Sequence, residues 1–186
     1  MRRFILPLLS IIVLMVVMNG CVAVKKYELK NGYDRLNSED VESARKTFEN
    51  IISETEDPLI LSQAYEGLGW VYIVMNDLNR AESYFNESLS QNSSNTDAMY
   101  GMMICGWISK DWRKLEEWGE TFRGKAGKSY SFTKVQKYST NWDEVMKLLL
   151  ACYAILGKNE KVVDLLEELP ADDFTSSIRR AVNGEL

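Results

Sequence analysis

The sequence predicts an all-α protein: a right-handed solenoid of about four helical hairpins, closed by a C-terminal capping helix and preceded by an export signal. Three observations carry this expectation. Only three prolines interrupt 186 residues, and β-branched residues rarely alternate with polar ones, so long helices are expected rather than strands. Hydrophobic residues make up 46% of the chain and charged ones 26%, enough to build a packed core. Finally, aromatic and small residues recur in phase along most of the chain, the mark of stacked supersecondary units.

The N-terminus comes first. Arg2 and Arg3 open the chain, and Phe4 to Met18 is an uncharged apolar run, long enough for a signal-peptide core and short for a membrane span. It ends in Met18-Asn19-Gly20-Cys21. Gly20-Cys21 resembles the bacterial lipobox, although Met18 and Asn19 depart from its usual residues. The resemblance implies that residues 1–20 are removed as a lipoprotein signal peptide and that Cys21 is lipidated. The mature chain is then exported and held at a bacterial membrane by acyl chains such as palmitate. Val22, where an aspartate would argue for inner-membrane retention, favours the outer membrane in a two-membrane cell. Loss of Arg2 and Arg3 takes the net charge from -5 to -7. Residues 21–26 are expected to form a short linker.

Residues 27–171 carry the repeats. Tyr65, Leu68, Gly69, Tyr72, Ala81, Phe85 and Ser88 form the sharpest unit. Leu68 and Tyr72 lie four apart on one face of a first helix. Asn76-Asp77 breaks that helix, Gly69 and Ala81 admit the second, and Phe85 and Leu89 continue the apolar stripe. This spacing resembles the tetratricopeptide repeat (TPR). Upstream, Gly32, Ala44, Phe48 and Ile51 keep the same phase, and Ser38 is the expected cap of the second helix. Downstream, one helix from about Asp97 and another from Asp111 form a degenerate third unit, with Gly119 where a large aromatic is expected. Met146, Leu149, Tyr153, Gly157, Val162, Leu166 and Leu169 make a fourth. Residues 172–186, with Phe174, Ile178 and Val182 at helical spacing, read as the cap that a last apolar face requires.

The resemblance implies a concave groove lined by the first helix of each hairpin. The side chains assigned to it are Tyr33, Glu66, Trp70, Ile73, Tyr100, Ile104 and Trp107, with Lys147 and Ala151 from the fourth unit. Such aromatics suit a protein or peptide partner, and the plainer alternative is that Trp70 and Trp107 fill gaps between hairpins. A basic insertion over about 121–141 holds Arg123, Lys125, Lys128, Lys134 and Lys137 and no acid. Two readings stand: contact with lipid headgroups, an acidic partner or the groove's own mouth, or a solvated connector.

Several function classes are disfavoured. The chain has no histidine, which removes the usual general base and zinc ligand. It has no glycine-rich phosphate loop or nucleophile motif, so neither a cofactor nor a metal is expected. A net charge of -5 gives no footprint for nucleic acid. The expectation is therefore a binding scaffold of the cell envelope and no enzyme. A structural subunit of an envelope oligomer and a glycan-binding lipoprotein are the alternatives. Cys105 and Cys152 read as buried thiols or, in an oxidising compartment, as a pair.

Overall fold

The computed structural model describes residues 22–182, so Cys21, the signal segment and residues 183–186 lie outside it. The described chain is an all-α stack of four hairpins with a closing helix, as the repeat phase predicts. A first helix, α1, covers residues 22–37. It is followed by α2 (Val41–Glu54), α3 (Pro58–Val74), α4 (Leu78–Gln91), α5 (Thr96–Ser109) and α6 (Trp112–Lys125). After a long connection come α7 (Trp142–Ile155), α8 (Asn159–Glu168) and α9 (Asp173–Val182).

The repeat is written most plainly in the turns. Each hairpin turns through a residue with positive φ: Glu39 at 65°, Asn76 at 59°, Lys110 at 58° and Gly157 at 69°. In the first three hairpins the next residue is an aspartate that caps the second helix. Asp40, Asp77 and Asp111 accept from the backbone N–H groups of Ser43, Arg80 and Lys114 at 3.3, 3.2 and 3.1 Å, satisfying a donor the helix start leaves open. The expected cap Ser38 does not take this role: its hydroxyl donates to the Arg35 carbonyl, because Asp40 is the residue adjoining α2. The fourth hairpin has Lys158 at this position and no side-chain cap.

Helix pairs close through large-into-small packing. Phe85 of α4 is fully buried between two glycines: a Cβ would fall 2.5 Å from its ring if built on Gly69 and 2.2 Å if built on Gly101. The second hairpin is thereby keyed to the third. In the third hairpin Gly119 stands where the aromatic is missing, and a Cβ there would fall 2.6 Å from Leu149 of α7. The apolar volume is thus delivered by the following hairpin, together with the buried Phe122 one turn on.

Two boundaries differ from expectation. Residues 22–26 are already helical rather than a linker: the buried Lys25 pairs with Glu28 at 2.8 Å and Glu54 at 2.5 Å, pinning the start of α1 to the end of α2. The insertion begins only after Lys125, so Arg123 and Lys125 belong to α6. At the far end α9 covers the stack, but Phe174 is exposed and Thr175 is the buried residue of the first turn. The Thr175 hydroxyl donates to the Pro170 carbonyl at 2.9 Å, and its backbone N–H donates to Asp172 at 2.9 Å.

Candidate functional site

The first helices of the hairpins, α1, α3 and α5, line one side of the stack, and on α3 the side chains of Glu66 and Trp70 lie one turn apart. Both are fully buried. Within a solenoid groove that is unexpected, and the connection between α6 and α7 explains it. Residues 126–141 fold back across this face instead of remaining a solvated connector. Ser131 and Phe132 pair antiparallel with Asn141 and Thr140. A single 3-10 turn at Gln136–Tyr138 then turns the lobe over on the helices.

Aromatic stacking holds one half of the lobe. Phe132, 1% exposed, stacks on Trp70 with ring centroids 4.7 Å apart and meets Tyr100 edge-on at 5.6 Å. Tyr138 adds a second ring 5.4 Å from Trp70, and the Tyr100 hydroxyl donates to the Tyr138 carbonyl at 3.2 Å. Phe85 closes the cluster from beneath, 5.5 Å from Trp70. The indole N–H of Trp70 is buried with no hydrogen-bond partner among the described residues.

Charge holds the other half. Lys134 reaches Glu66 at 2.9 Å and Asp97 at 2.7 Å, and its ammonium lies 5.5 Å from the Tyr33 ring centre. Glu66 also accepts from the Tyr33 hydroxyl at 2.9 Å and from the amide of Asn95 at 3.3 Å. Burial pushes the Glu66 carboxyl above its ordinary range, Asp97 adds to this, and the Lys134 charge pulls the other way. For Lys134, burial acts to lower the pKa, but the two carboxylates outweigh it and hold the ammonium charged. The Tyr33 hydroxyl is held protonated by burial and by Glu66. Burial likewise pushes Tyr100 up to about 12.

The backbone of the lobe is held as well. Asn37 donates through its side-chain amide to the Lys134 carbonyl at 2.9 Å and accepts from the Gln136 N–H at 2.9 Å. One asparagine at the end of α1 therefore holds a short extended stretch as a neighbouring strand would. Beside it a cleft of about 440 Å³ remains open, lined by Tyr33, Asn37, Gln63, Thr133, Lys134 and Gln136 among others.

Of the residues assigned to a groove from the sequence, Tyr33, Glu66, Trp70 and Tyr100 are brought together beneath the insertion. Tyr33, Glu66, Trp70, Ile73, Tyr100 and Ile104 are all buried, and Trp107 alone stays open at 41% exposure, edge-on to Trp112 at 5.6 Å. Trp70 is covered by the insertion as well as by its own hairpin, so no sugar can stack on it in this arrangement. Lys147 pairs with Glu144 and Asp172 instead of lining a channel. Of the basic residues, Arg123 pairs with Glu168 and Lys125 donates to the Ser93 carbonyl. Lys128 lies over Trp142 and Lys137 over Tyr138. Lys134 is engaged by Glu66 and Asp97 inside the groove. Cys105 and Cys152 are both buried and free.

The sequence places Phe132 among the aromatics that alternate with charges in the insertion and Asp97 at a helix start, but assigns neither of them, nor Asn37, to the groove. The signal for Phe132 was present in the alternation Phe132-Thr133-Lys134, which puts an aromatic and a cation on one side of an extended stretch.

No family model and no curated protein matches this sequence. Solved structures do. PilF of Pseudomonas aeruginosa superposes with a TM-score of 0.63 at 15% identity, over 84% of this chain and 66% of that one. PilW, a type IV pilus biogenesis factor, gives 0.63 at 11% identity, over 83% and 66%. YrrB, a TPR protein with an unusual peptide-binding site, gives 0.52 at 16%, over 65% of this chain and 54% of that one. The chain thus spans just under two thirds of the first of these and about half of the last. At such identities the likeness establishes the fold.

Proposed function

Starting from a chain with the tetratricopeptide-repeat fold, we propose that it is a membrane-anchored scaffold of the cell envelope that holds a protein or peptide segment in its concave groove. One observation carries the reading: the groove already holds a short segment of polypeptide, with a ring on Trp70, a cation between Glu66 and Asp97, and a backbone clamped by Asn37. A surface that can do this for its own chain has the chemistry to do it for another, since paired hydrogen bonds, an aromatic anchor and a charge contact are the terms of peptide recognition. Catalysis is not part of the reading, because Glu66, the acid buried among the groove aromatics, is engaged by three donors and Asp97 by Lys134.

The anchor is the Gly20-Cys21 lipobox. Val22 is already within α1, so acylation at Cys21 would set the first hairpin directly against the bilayer, with no linker between. The peptide-binding site of YrrB and the pilus role of PilW are consistent with a partner in the envelope, such as a component of assembly, secretion or biogenesis. The outer membrane is the proposed location where two membranes exist.

The test is photo-crosslinking in cells from a benzophenone placed at Trp107, the open end of the groove. Capture of one or a few envelope proteins, lost when Glu66→Gln and Tyr100→Ala are introduced, supports the scaffold. Capture only of copies of the same chain would favour the oligomer subunit, and capture of nothing would contradict both.

A further inference from the structure

We propose that residues 126–141 are a built-in ligand of the groove, and that the partner is a short peptide segment with an aromatic residue two positions before a lysine, which displaces them. The inference deepens the scaffold reading and rests on it.

The geometry points to this motif because two spacings match. Glu66 and Trp70 are four residues apart on α3, a rise of about 6 Å along the helix axis. Phe132 ends a two-residue strand and Lys134 begins the bend after it, so the two lie at most about 6.6 Å apart along the chain, and the ring and the ammonium both reach α3. The ring therefore meets Trp70 and the ammonium meets Glu66 in the same register, with the segment antiparallel to α3. Asp97 on α5 adds the second carboxylate. Asn37 on α1 reads only backbone atoms and so accepts any sequence at the flank. The intervening Thr133 is exposed and leaves its position unspecified.

Phe132 and Val135 of the lobe are buried with the core, yet the lobe has features of a replaceable ligand. It is a connection between two hairpins, so its departure breaks no repeat-to-repeat contact of the kind Phe85 makes with Gly69 and Gly101. The cleft beside Asn37 and Tyr33 opens one flank of it to solvent. It also leaves the buried indole N–H of Trp70 unpaired, an advantage open to any partner that brings an acceptor there. Tethering gives the built-in segment an effective concentration on the order of millimolar. A partner must therefore make contacts the segment does not, and Trp107 and Ile108, still exposed at the end of α5, are placed to provide them.

The experiment uses the full chain in detergent micelles and a fluorescent synthetic peptide copying residues 129–141. Phe132→Ala/Lys134→Ala in the protein removes the ring and the cation by which the lobe holds α3 and so weakens its hold on the groove. This variant, checked as folded by circular dichroism, is expected to bind the peptide at least ten-fold tighter than wild type. A peptide with the same two alanines should bind neither. Equal binding of peptide to variant and wild type, no binding to the folded variant, or equal binding of the alanine peptide overturns the proposal.

Should the variant not fold, wild type decides the matter. Excess peptide is expected to speed hydrogen exchange in the chain's own 130–138 while α3 and α5 are unchanged, and no such acceleration refutes displacement. Failure of the scaffold reading is separable. A disulfide between Asn37→Cys and Gln136→Cys locks the lobe, and partner capture from Trp107 in cells is expected to fall when it is oxidised. Undiminished capture overturns the built-in ligand and leaves the scaffold standing. Absence of capture from the unlocked chain counts against the scaffold, while the peptide titration still decides the ligand.

Discussion

Replacing Lys134 with methionine probes the electrostatic half of the groove. The substitution keeps the length and much of the volume of the side chain but removes the cation between Glu66 and Asp97. Glu66 is fully buried, and Lys134 is the principal charge that pulls its pKa down against burial. Without Lys134, burial and Asp97 act together to raise it. A carboxyl whose folded-state pKa exceeds the unfolded value of about 4.3 costs nothing at low pH, where both states are protonated. Stability is then lost as pH rises toward and through the folded-state pKa. Removing one partner of a buried pair typically costs about 3–5 kcal/mol. With 32% of the Lys134 side chain in solvent, about 2–4 kcal/mol near pH 8 is expected.

The assay is urea denaturation followed by far-ultraviolet circular dichroism, for wild type, Lys134→Met and Glu66→Gln/Lys134→Met. The single variant should approach wild-type stability near pH 4 and fall behind as pH rises. The double variant should stay within about 1 kcal/mol of wild type near pH 8, since a neutral amide needs no counter-charge. A deficit that is the same at both pH values, or that Glu66→Gln does not relieve, would refute the reasoning.

Four further outcomes follow from the same structure. Gly101→Ala puts a Cβ 2.2 Å from the Phe85 ring, and overpacking of that kind should cost about 1–3 kcal/mol in a urea titration. Lys110→Gly relieves a non-glycine residue held at φ 58° and should raise stability by up to about 1 kcal/mol, read the same way. Asp172 is pulled down to about 2, mainly by the Lys147 ammonium and then by the Thr175 N–H. Its support of α9 should therefore be complete above about pH 4 and fade as pH falls toward 2, visible as faster exchange of α9 amides. Cys105 and Cys152 are pushed up by burial to about 12 and about 11. Peptide mapping after iodoacetamide at neutral pH should find both unmodified in the folded protein and modified in urea.

The fold was legible because its signal is periodic. Tyr65 to Ser88 repeats the spacing of a hairpin that must bury one face, and the same phase persists around Ala44 and Val162. The third unit blurred because Gly119 gives up its own aromatic, and Leu149, thirty positions on, fills the space. No local pattern announces such a loan. The cap at Asp40 was missed for a simpler reason: Ser38 and Asp40 are both good acceptors, and only the turn through Glu39 decides which one adjoins the helix. Contact of the insertion with the groove's own mouth was one of the readings its charges left open, because a connection lying across a surface is held by contacts far apart in sequence, such as Asn37 with Gln136 and Glu66 with Lys134. Only Phe132-Thr133-Lys134 hinted at it, in too few residues to establish a period.

The groove is filled by a separable piece of the chain itself. Hydrogen exchange of the full chain over a range of low denaturant, resolved by segment, tests it most directly. Amides of Gln136 and Tyr138, bonded to the Asn37 side chain and the Val135 carbonyl, should be protected, yet open in a local event well below the free energy at which α3 and α5 exchange. Exchange as fast as that of an unstructured peptide would mean the groove is empty. Exchange only on global unfolding would mean the lobe is a permanent part of the core. Either result would contradict the account.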